Sequence, residues 1–410
     1  LNLTQQAATQ NRQVRQSKPY WQQTPRITVT TRQKPARKAY DVIIVGAGIS
    51  GALIAQALMD GKRKIAIVDR RQPVFGSTMA STAMLQHEID VPLFKLKTRL
   101  PAAHAERIWL RSADSVEALI KLTSDLGISC SMQRKKALYL AGDAYGARAL
   151  GLEVEARKAI GLHAEFLDGK TVQDRFAINR TAAIESDMSA SANPAQLTAG
   201  LLRHCVKGGV EIIRDIEITD FVSLNDQVAL ATAQGAVLGA GAVVFCTGYQ
   251  FLKVLAHKNH QIISTWAIAG RKQAAPPAWL KDYLVWEASD PYLYFRTASD
   301  GRLIAGGEDE PSEDAFEDPN KAAAKSQKIA RKISALIGCD VGKPAYQWSA
   351  AFGSTPTGTP MIGAVEGHPN VYAAMGYGGN GITFSKIAAE ILAKALAGKQ
   401  DNDAALFAFR

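Results

Sequence analysis

Apolar residues along the chain alternate between the spacing of strands and that of helices. Residues 40 to 71, "YDVIIVGAGISGALIAQALMDGKRKIAIVDRR", open on a continuous apolar run from Val42 to Val45, as a strand covered on both faces requires. Gly46 to Gly51 reads as a tight turn, Ala52 to Met59 as a helix closed near Gly61, and Lys64 to Asp69 as a second strand. Together these predict a βαβ unit. Apolar spacings of three and four predict helices over 101 to 127 and 144 to 161, and "ALYLAG" at 137 to 142 reads as a strand. A further helix follows Asn193-Pro194 and runs to the glycine pair 208 and 209. Residues 210 to 247 are strand-rich, as are 262 to 306, where "PYLYFRT" and "RLIAGG" flank the turn Ser299-Asp300-Gly301. A helix over 319 to 337, further strands, and a glycine turn entering a helix from Ser385 to Leu396 complete the pattern.

A chain of 410 residues exceeds one simple core, so two domains are expected, woven together rather than strung in series. The net charge of +10 suggests nucleic acid, but eight of the excess cations lie in residues 1 to 39, which contain no Asp or Glu. The basicity thus belongs to a Gln-rich N-terminal extension, expected to be solvated and poorly ordered or to dock on an acidic partner or surface; the body is not expected to bind nucleic acid. Residues 227 to 252 carry no charge over a length that spans a bilayer, yet four glycines and several Gln and Thr break the run into two short strands, so no transmembrane segment is expected. The stretch "GEDEPSEDAFED" at 307 to 318 is expected to be a solvated loop. Four cysteines without CxxC spacing fit reduced thiols in a cytoplasmic protein, and His257 and His260, spaced HxxH without a third ligand nearby, are not expected to bind metal.

The turn Gly46-Ala47-Gly48-Ile49-Ser50-Gly51 fits GxGxxG between a strand and a helix. The first glycine permits the sharp turn, the second lets a diphosphate approach the backbone, and the third lets helix and strand pack closely, with the anion on the helix N-terminus. Asp69 ends the second strand, where a carboxylate accepts hydrogen bonds from an adenosine ribose; Arg70 follows it. These residues point to a dinucleotide without separating NAD from FAD.

Three later segments bear on that choice: "GSTMASTAMLQHEID" at 76 to 90, "GAVVFCTGY" at 241 to 249 with Thr247-Gly248 at its end, and "NVYAAMGYGGNGITFSKIAAEIL" at 370 to 392. With the first turn, and in this order, they resemble the amino-acid oxidase family of FAD-dependent oxidoreductases, which includes glycine oxidase, sarcosine oxidase and D-amino-acid dehydrogenase. The resemblance covers nearly everything from residue 40 onward. It implies that Ser77, Thr78, Ser81, Thr82, Ala83 and Met84 line the flavin and its ribityl chain, and that Ile218 meets the adenine through its backbone. It also implies that Gly378, Gly379, Asn380, Gly381, Ile382 and Thr383 form the flavin loop, whose N–H groups favour negative charge on the ring as it is reduced.

The implied fold is α/β with an α+β second domain: a Rossmann-like FAD-binding domain from 40 to 95, 190 to 260 and 346 to 410, interwoven with a mixed-sheet substrate domain from 96 to 189 and 261 to 345, after an extension from 1 to 39. The implied activity is oxidation of the C–N bond of an amino acid or related amine by hydride transfer to FAD, with dioxygen or an electron carrier as acceptor. Two alternatives stay open: a FAD-holding assembly protein with little catalysis, and oxidation of a non-amine substrate. Strand alternation puts Tyr292, Tyr294 and Arg296 on one face, where Arg296 is a candidate clamp for a substrate carboxylate and Tyr294 a neighbour; His87 is a candidate for proton exchange. Where relatives read T-x-D-G-L-P-x-I-G, this chain has Thr355-Pro356-Thr357-Gly358-Thr359-Pro360-Met361-Ile362-Gly363 and lacks the acid, so its substrate preference is expected to differ. Ala350 and Ala351 stand near where some sarcosine oxidases carry a flavin-linking cysteine, so FAD is expected to be non-covalent.

Overall fold

Two sheets organise the computed structural model, which describes residues 8–9, 12–255, 260–272 and 275–409. Strands are numbered β1 to β18 and helices α1 to α8 in chain order. The first sheet has a parallel core in the order β8 (Glu211–Arg214), β3 (Ile65–Asp69), β2 (Ala39–Val45), β11 (Val237–Phe245) and β18 (Val371–Met375). An antiparallel strand, β17 (Met361–Ala364), edges β18, while β10 (Val228–Thr232) and β9 (Ile218–Ser223) extend from β11 as a meander. The uncharged stretch is therefore two strands and a turn, as its glycines predict. Among the described residues, no helix is long and apolar enough to cross a membrane.

The second sheet runs β1 (Arg15–Gln16), β16 (Tyr346–Ser354), β12 (Gln261–Ala269), β15 (Leu303–Glu310), β14 (Leu293–Thr297), β13 (Tyr283–Glu287), β5 (Gln133–Leu140), β7 (Ala182–Ser191) and β4 (Met84–Leu85), with β6 (Ala164–Asp168) also on β7. It is mixed, because β13 and β5 are parallel and the other pairs antiparallel. β16 and β4 come from stretches expected in the dinucleotide-binding half, yet pair within this sheet.

Helix α1 (Ile49–Leu58) follows β2 at once, and its buried Ala52, Leu53 and Ala55 leave room for α6 (Pro194–Lys207) and α8 (Gly381–Leu396) to pack beside it. Asn193 caps α6, its side chain accepting from the Ala195 and Gln196 N–H groups at 3.1 Å, so the Asn-Pro start signal is realised. Behind α8 lies α3 (Ala102–Asp125), while α2 (Leu93–Leu96) and α4 (Ala147–Ala159) pack together and α5 (Gly169–Phe176) and α7 (Pro319–Ile337) back the mixed sheet.

Two expectations are corrected. The acidic stretch is not a loop throughout: β15 continues to Glu310, so Glu308 is fully buried and neutralised by Lys328, Lys332 and Lys325 from α7, while Asp318 caps that helix. Nor is the N-terminal extension solvated throughout. Val14 and Trp21 are buried, β1 pairs with β16, and the Trp21 indole N–H donates to the Ser81 carbonyl at 2.7 Å. Segments rich in charge looked like solvent-facing chain because charge density carries no information about the partner element, α7 for Glu308 and the distant β16 for β1. Removing a buried indole costs about 3–5 kcal/mol. Trp21→Ala is therefore expected to destabilise the protein by that amount in urea unfolding, whereas an extension free in solvent would leave the midpoint unchanged.

Candidate functional site

One long cavity runs between the two sheets, with about 1780 Å³ of space not filled by atoms, its open mouth included. Its lining reaches from the first glycine turn, past Ser77 to Met84, to the late glycine turn and Tyr292.

At one end stands the first glycine turn. Gly46 has φ of 118°, which only glycine adopts without strain, and a Cβ on Gly51 would overlap the Gly46 carbonyl oxygen. Gly46, Gly48, Ile49 and Ser50 line the cavity; Gly51 lies behind them, where its role is close packing. No side chain caps α1, although Thr78 Oγ1 accepts from the Ile49 N–H at 3.0 Å. An uncapped helix start facing a cavity fits an anionic diphosphate. Asp69 also lines it, its carboxylate accepting from the Ala47 and Arg71 N–H groups at 2.7 and 2.8 Å while burial pushes its pKa up. Arg70 and Ile218 complete this end with Glu217, to which Arg70 is paired at 3.2 Å.

The segment expected along the flavin crosses the middle. Ser77, Thr78, Ser81, Thr82, Ala83 and Met84 all line the cavity, and Thr247 and Gly248 face them. Three successive carbonyls of this segment are held by buried donors: Ala80 by the Trp348 indole at 2.8 Å, Ser81 by Trp21, and Thr82 by Arg296. Ala83 then takes φ of 52°.

Beyond it comes the late glycine turn. Gly379, Asn380, Gly381 and Ile382 line the cavity at the start of α8, which likewise has no side-chain cap. The turn is laced to the segment 86 to 90: Thr383 Oγ1 donates to the Gln86 carbonyl at 3.1 Å, Asn380 Nδ2 to the Glu88 carbonyl at 2.5 Å, and the Gly379 N–H to Asp90 Oδ2 at 2.9 Å. Thr383 is thus behind the turn rather than on the cavity. The two helix starts are also joined to each other, Ser50 Oγ and Ser385 Oγ being 2.7 Å apart.

Of the three substrate candidates, Tyr294 faces the cavity with Tyr292, their rings 5.7 Å apart; burial raises both phenol pKa values. Arg296 does not. Its guanidinium donates to the carbonyls of Thr82 at 2.9 and 2.5 Å, Thr297 at 3.0 Å and Ala192 at 2.8 Å, and it lies 5.3 Å from the Trp21 ring centroid. Desolvation brings its pKa down to about 9. Strand alternation put it on the right face, but a residue from the N-terminal segment covers it. His87 also points away from the cavity, buried against Trp109 with Nδ1 3.5 Å from Glu88, and burial lowers its pKa. Neither is placed to touch a substrate. His257 lies outside the described residues; among those described, no cluster of metal-ligating residues occurs.

Two carboxylates escaped the sequence reading. Asp90 projects into the cavity beside the late turn, so close that a Cβ on Gly379 would lie 2.5 Å from its Oδ1. Gly358, in the loop that lacks the family's acid, packs on Ile89 and Val91, the residues flanking Asp90. Asp309, on β15, faces the hydroxyls of Thr265 and Tyr292; both its oxygens are sealed from solvent and neither has a hydrogen bond of full geometry. Burial pushes its carboxyl up to about 6. Extending the strand pattern of "RLIAGG" through Glu310 would have found it. The four cysteines are free; Cys246 lines the cavity beside Gly46, where burial raises its pKa.

A family model described as FAD dependent oxidoreductase matches residues 41–395. The chain is 22% identical over 376 residues to the probable oxidoreductase OrdL of Haemophilus influenzae, covering 88% of this chain and 84% of the relative. Identity is also 22%, with the same coverage, to the gamma-glutamylputrescine oxidoreductase of Escherichia coli. Glycine oxidase of Geobacillus kaustophilus shares the fold, with a TM-score of 0.76 and 22% identity over 91% of this chain and 99% of that one.

Two outcomes follow from the placement of Arg296 and Asp309. Arg296→Met is expected to weaken FAD binding at least tenfold in a fluorescence titration, since the pinned Thr82 carbonyl is released; a carboxylate clamp would instead raise only the KM for substrate. For Asp309 the folded-state pKa lies above the ordinary value, so the folded apoprotein keeps a proton that the unfolded chain has lost. Stability present below about pH 4 therefore falls as pH rises toward 6. Asp90, Tyr292, Tyr294 and Lys325 are the ionisable groups around it, and Asp309→Asn is expected to remove this slope and stabilise the apoprotein at pH 7 by up to roughly 3 kcal/mol.

Proposed function

The chain belongs to the FAD-dependent oxidoreductase family, and from that premise we propose that it oxidises the C–N bond of an amino acid or related amine. The observation that carries this reading is the convergence of two uncapped helix N-termini on one cavity that ends among phenols and carboxylates. Bound FAD supplies the two-electron acceptor for a hydride.

The chain's own residues do the rest. The N–H groups at the start of α1, with Gly46 and Gly48 offering bare backbone, would hold the diphosphate, and Asp69 would take the ribose hydroxyls at that end. Ala80 to Met84, in which the carbonyls of Ala80, Ser81 and Thr82 are held by Trp348, Trp21 and Arg296, would form a wall for the flavin. The start of α8 would favour the negative charge that reduction brings to a flavin ring there, through the positive end of its helix dipole. Tyr292 and Tyr294 orient the substrate, and the aromatic side chains of Tyr249 and Phe352 keep water from the reacting carbon. That carbon loses its hydrogen with the bonding pair, the nitrogen loses a proton, and water adds to the resulting C=N bond to release an amine or ammonia and a carbonyl product. Dioxygen or an electron carrier completes the cycle. The names of two similar proteins support C–N chemistry, one being an oxidase of glycine and the other an oxidoreductase of γ-glutamylputrescine, an amine.

FAD is proposed to be held without a covalent bond, because Ala350 and Ala351 line the cavity and its cysteine lies at the diphosphate end. Acid precipitation is expected to leave the yellow colour in the supernatant, and a yellow washed pellet would contradict this. Under anaerobic conditions at least one of glycine, sarcosine, proline, the D-amino acids or simple amines is expected to bleach the flavin band. Bleaching by none would favour a FAD-holding protein with little catalysis.

A further inference from the structure

The substrate end of the cavity carries the wrong charge for an amino acid. In a site that excludes water, a carboxylate beside the reacting carbon needs a cation or several good donors to replace its hydration. Among the described residues lining the cavity, the cationic side chains are Arg70 and Arg71, both at the adenosine end, where Arg70 pairs with Glu217 and Arg71 donates to Gln250 at 2.9 Å. Arg296, which comes nearest to a clamp by sequence, is committed to three backbone carbonyls beneath Trp21. Lys325 stands behind Asp309 but is bound to the Glu308 carbonyl at 2.7 Å and to Glu310 at 3.1 Å. What faces the substrate instead is negative or neutral: Asp90, the phenols of Tyr292 and Tyr294, and the rings of Tyr249 and Trp286, with Asp309 enclosed behind Tyr292 and Thr265. Glu88 also borders the space, with its carboxylate turned to Arg157 and Ser186.

We infer that this site selects an alkyl amine or diamine whose reacting carbon bears no carboxylate, its positive charge held by Asp90 and its alkyl chain by the aromatic walls. The inference rests on the C–N oxidation proposed above and adds no step to it. The carbon's hydrogen leaves as hydride to FAD, the nitrogen releases one proton, and hydrolysis of the C=N bond gives an aldehyde or ketone with ammonia or an amine, not a 2-oxo acid. Aromatic faces beside a cation add to its binding. An α-carboxylate in the same place would meet Asp90 with no cation between, and the two like charges repel.

The test uses the FAD-loaded full chain at pH 8, with 1,4-diaminobutane and butylamine set against glycine, sarcosine, D-alanine and D-proline in anaerobic flavin reduction. The amines are expected to show kcat/KM at least 100-fold above every amino acid, with an aldehyde as product. Amino acids reacting as well as the amines would overturn the inference while leaving C–N oxidation intact; reduction by no compound of either class would overturn both. Asp90→Asn is expected to raise the KM for the amine at least tenfold with kcat changed less than threefold and FAD still bound. An unchanged KM in this variant, with FAD bound, would also overturn it.

Discussion

Everything in this fold is arranged around two helices that begin at the same cavity. α1 starts from the first glycine turn and α8 from a turn more than three hundred residues later, and both start without a capping side chain. A helix start leaves several backbone N–H groups without partners, which is costly unless water or a ligand meets them. Here the two starts lie side by side along packed helices and share the hydrogen bond between Ser50 and Ser385. Two positive helix ends brought together repel each other mildly, and a long ligand with acceptors at both ends relieves that repulsion. The parallel sheet supports the arrangement, because β2 and β18 flank β11 and deliver both helices at the same end of the strands.

The wall between the two turns is held just as deliberately. A segment of small and hydroxyl residues has little side-chain volume with which to fix itself, so its shape comes from outside. The indoles of Trp348 and Trp21 and the guanidinium of Arg296 each take one carbonyl in succession, from residues 80 to 82, and each donor is buried. Burying a guanidinium is expensive unless its donors find acceptors, and Arg296 finds three carbonyls and an aromatic face. Trp21 lies before residue 41, where the family match begins, so part of this support is contributed by chain outside the matched region. Past the late turn, alternate residues of the segment 86 to 90 take up the pattern, binding Thr383, Asn380 and Gly379 in turn.

Local chemistry was legible in the sequence, and long-range partnership was not. The βαβ unit, the glycines, Asp69 and the Asn193 cap are written in neighbouring residues, and each sits where its neighbours said. Arg296 shows the boundary: its strand face follows from alternation with Tyr292 and Tyr294, but the tryptophan that covers it comes from 275 residues away in the chain. Glu308 and Asp309 show it from the other side. Seven carboxylates in twelve positions look like solvated chain, and only the lysines of α7 and the hydroxyls of Thr265 and Tyr292 reveal that two of them are enclosed. Asp90 was invisible for a related reason, since its neighbours Gly358 and Gly379 are distant in sequence.

The claim that both turns grip one ligand is tested most directly by comparing the affinity of the apoprotein for FAD with that for ADP, which retains only the part held by the first turn. Binding of FAD at least a thousandfold tighter than ADP is expected, because the ring end adds its own contacts at the start of α8. Equal affinities would mean that the late turn holds nothing, and the account of the site would fail.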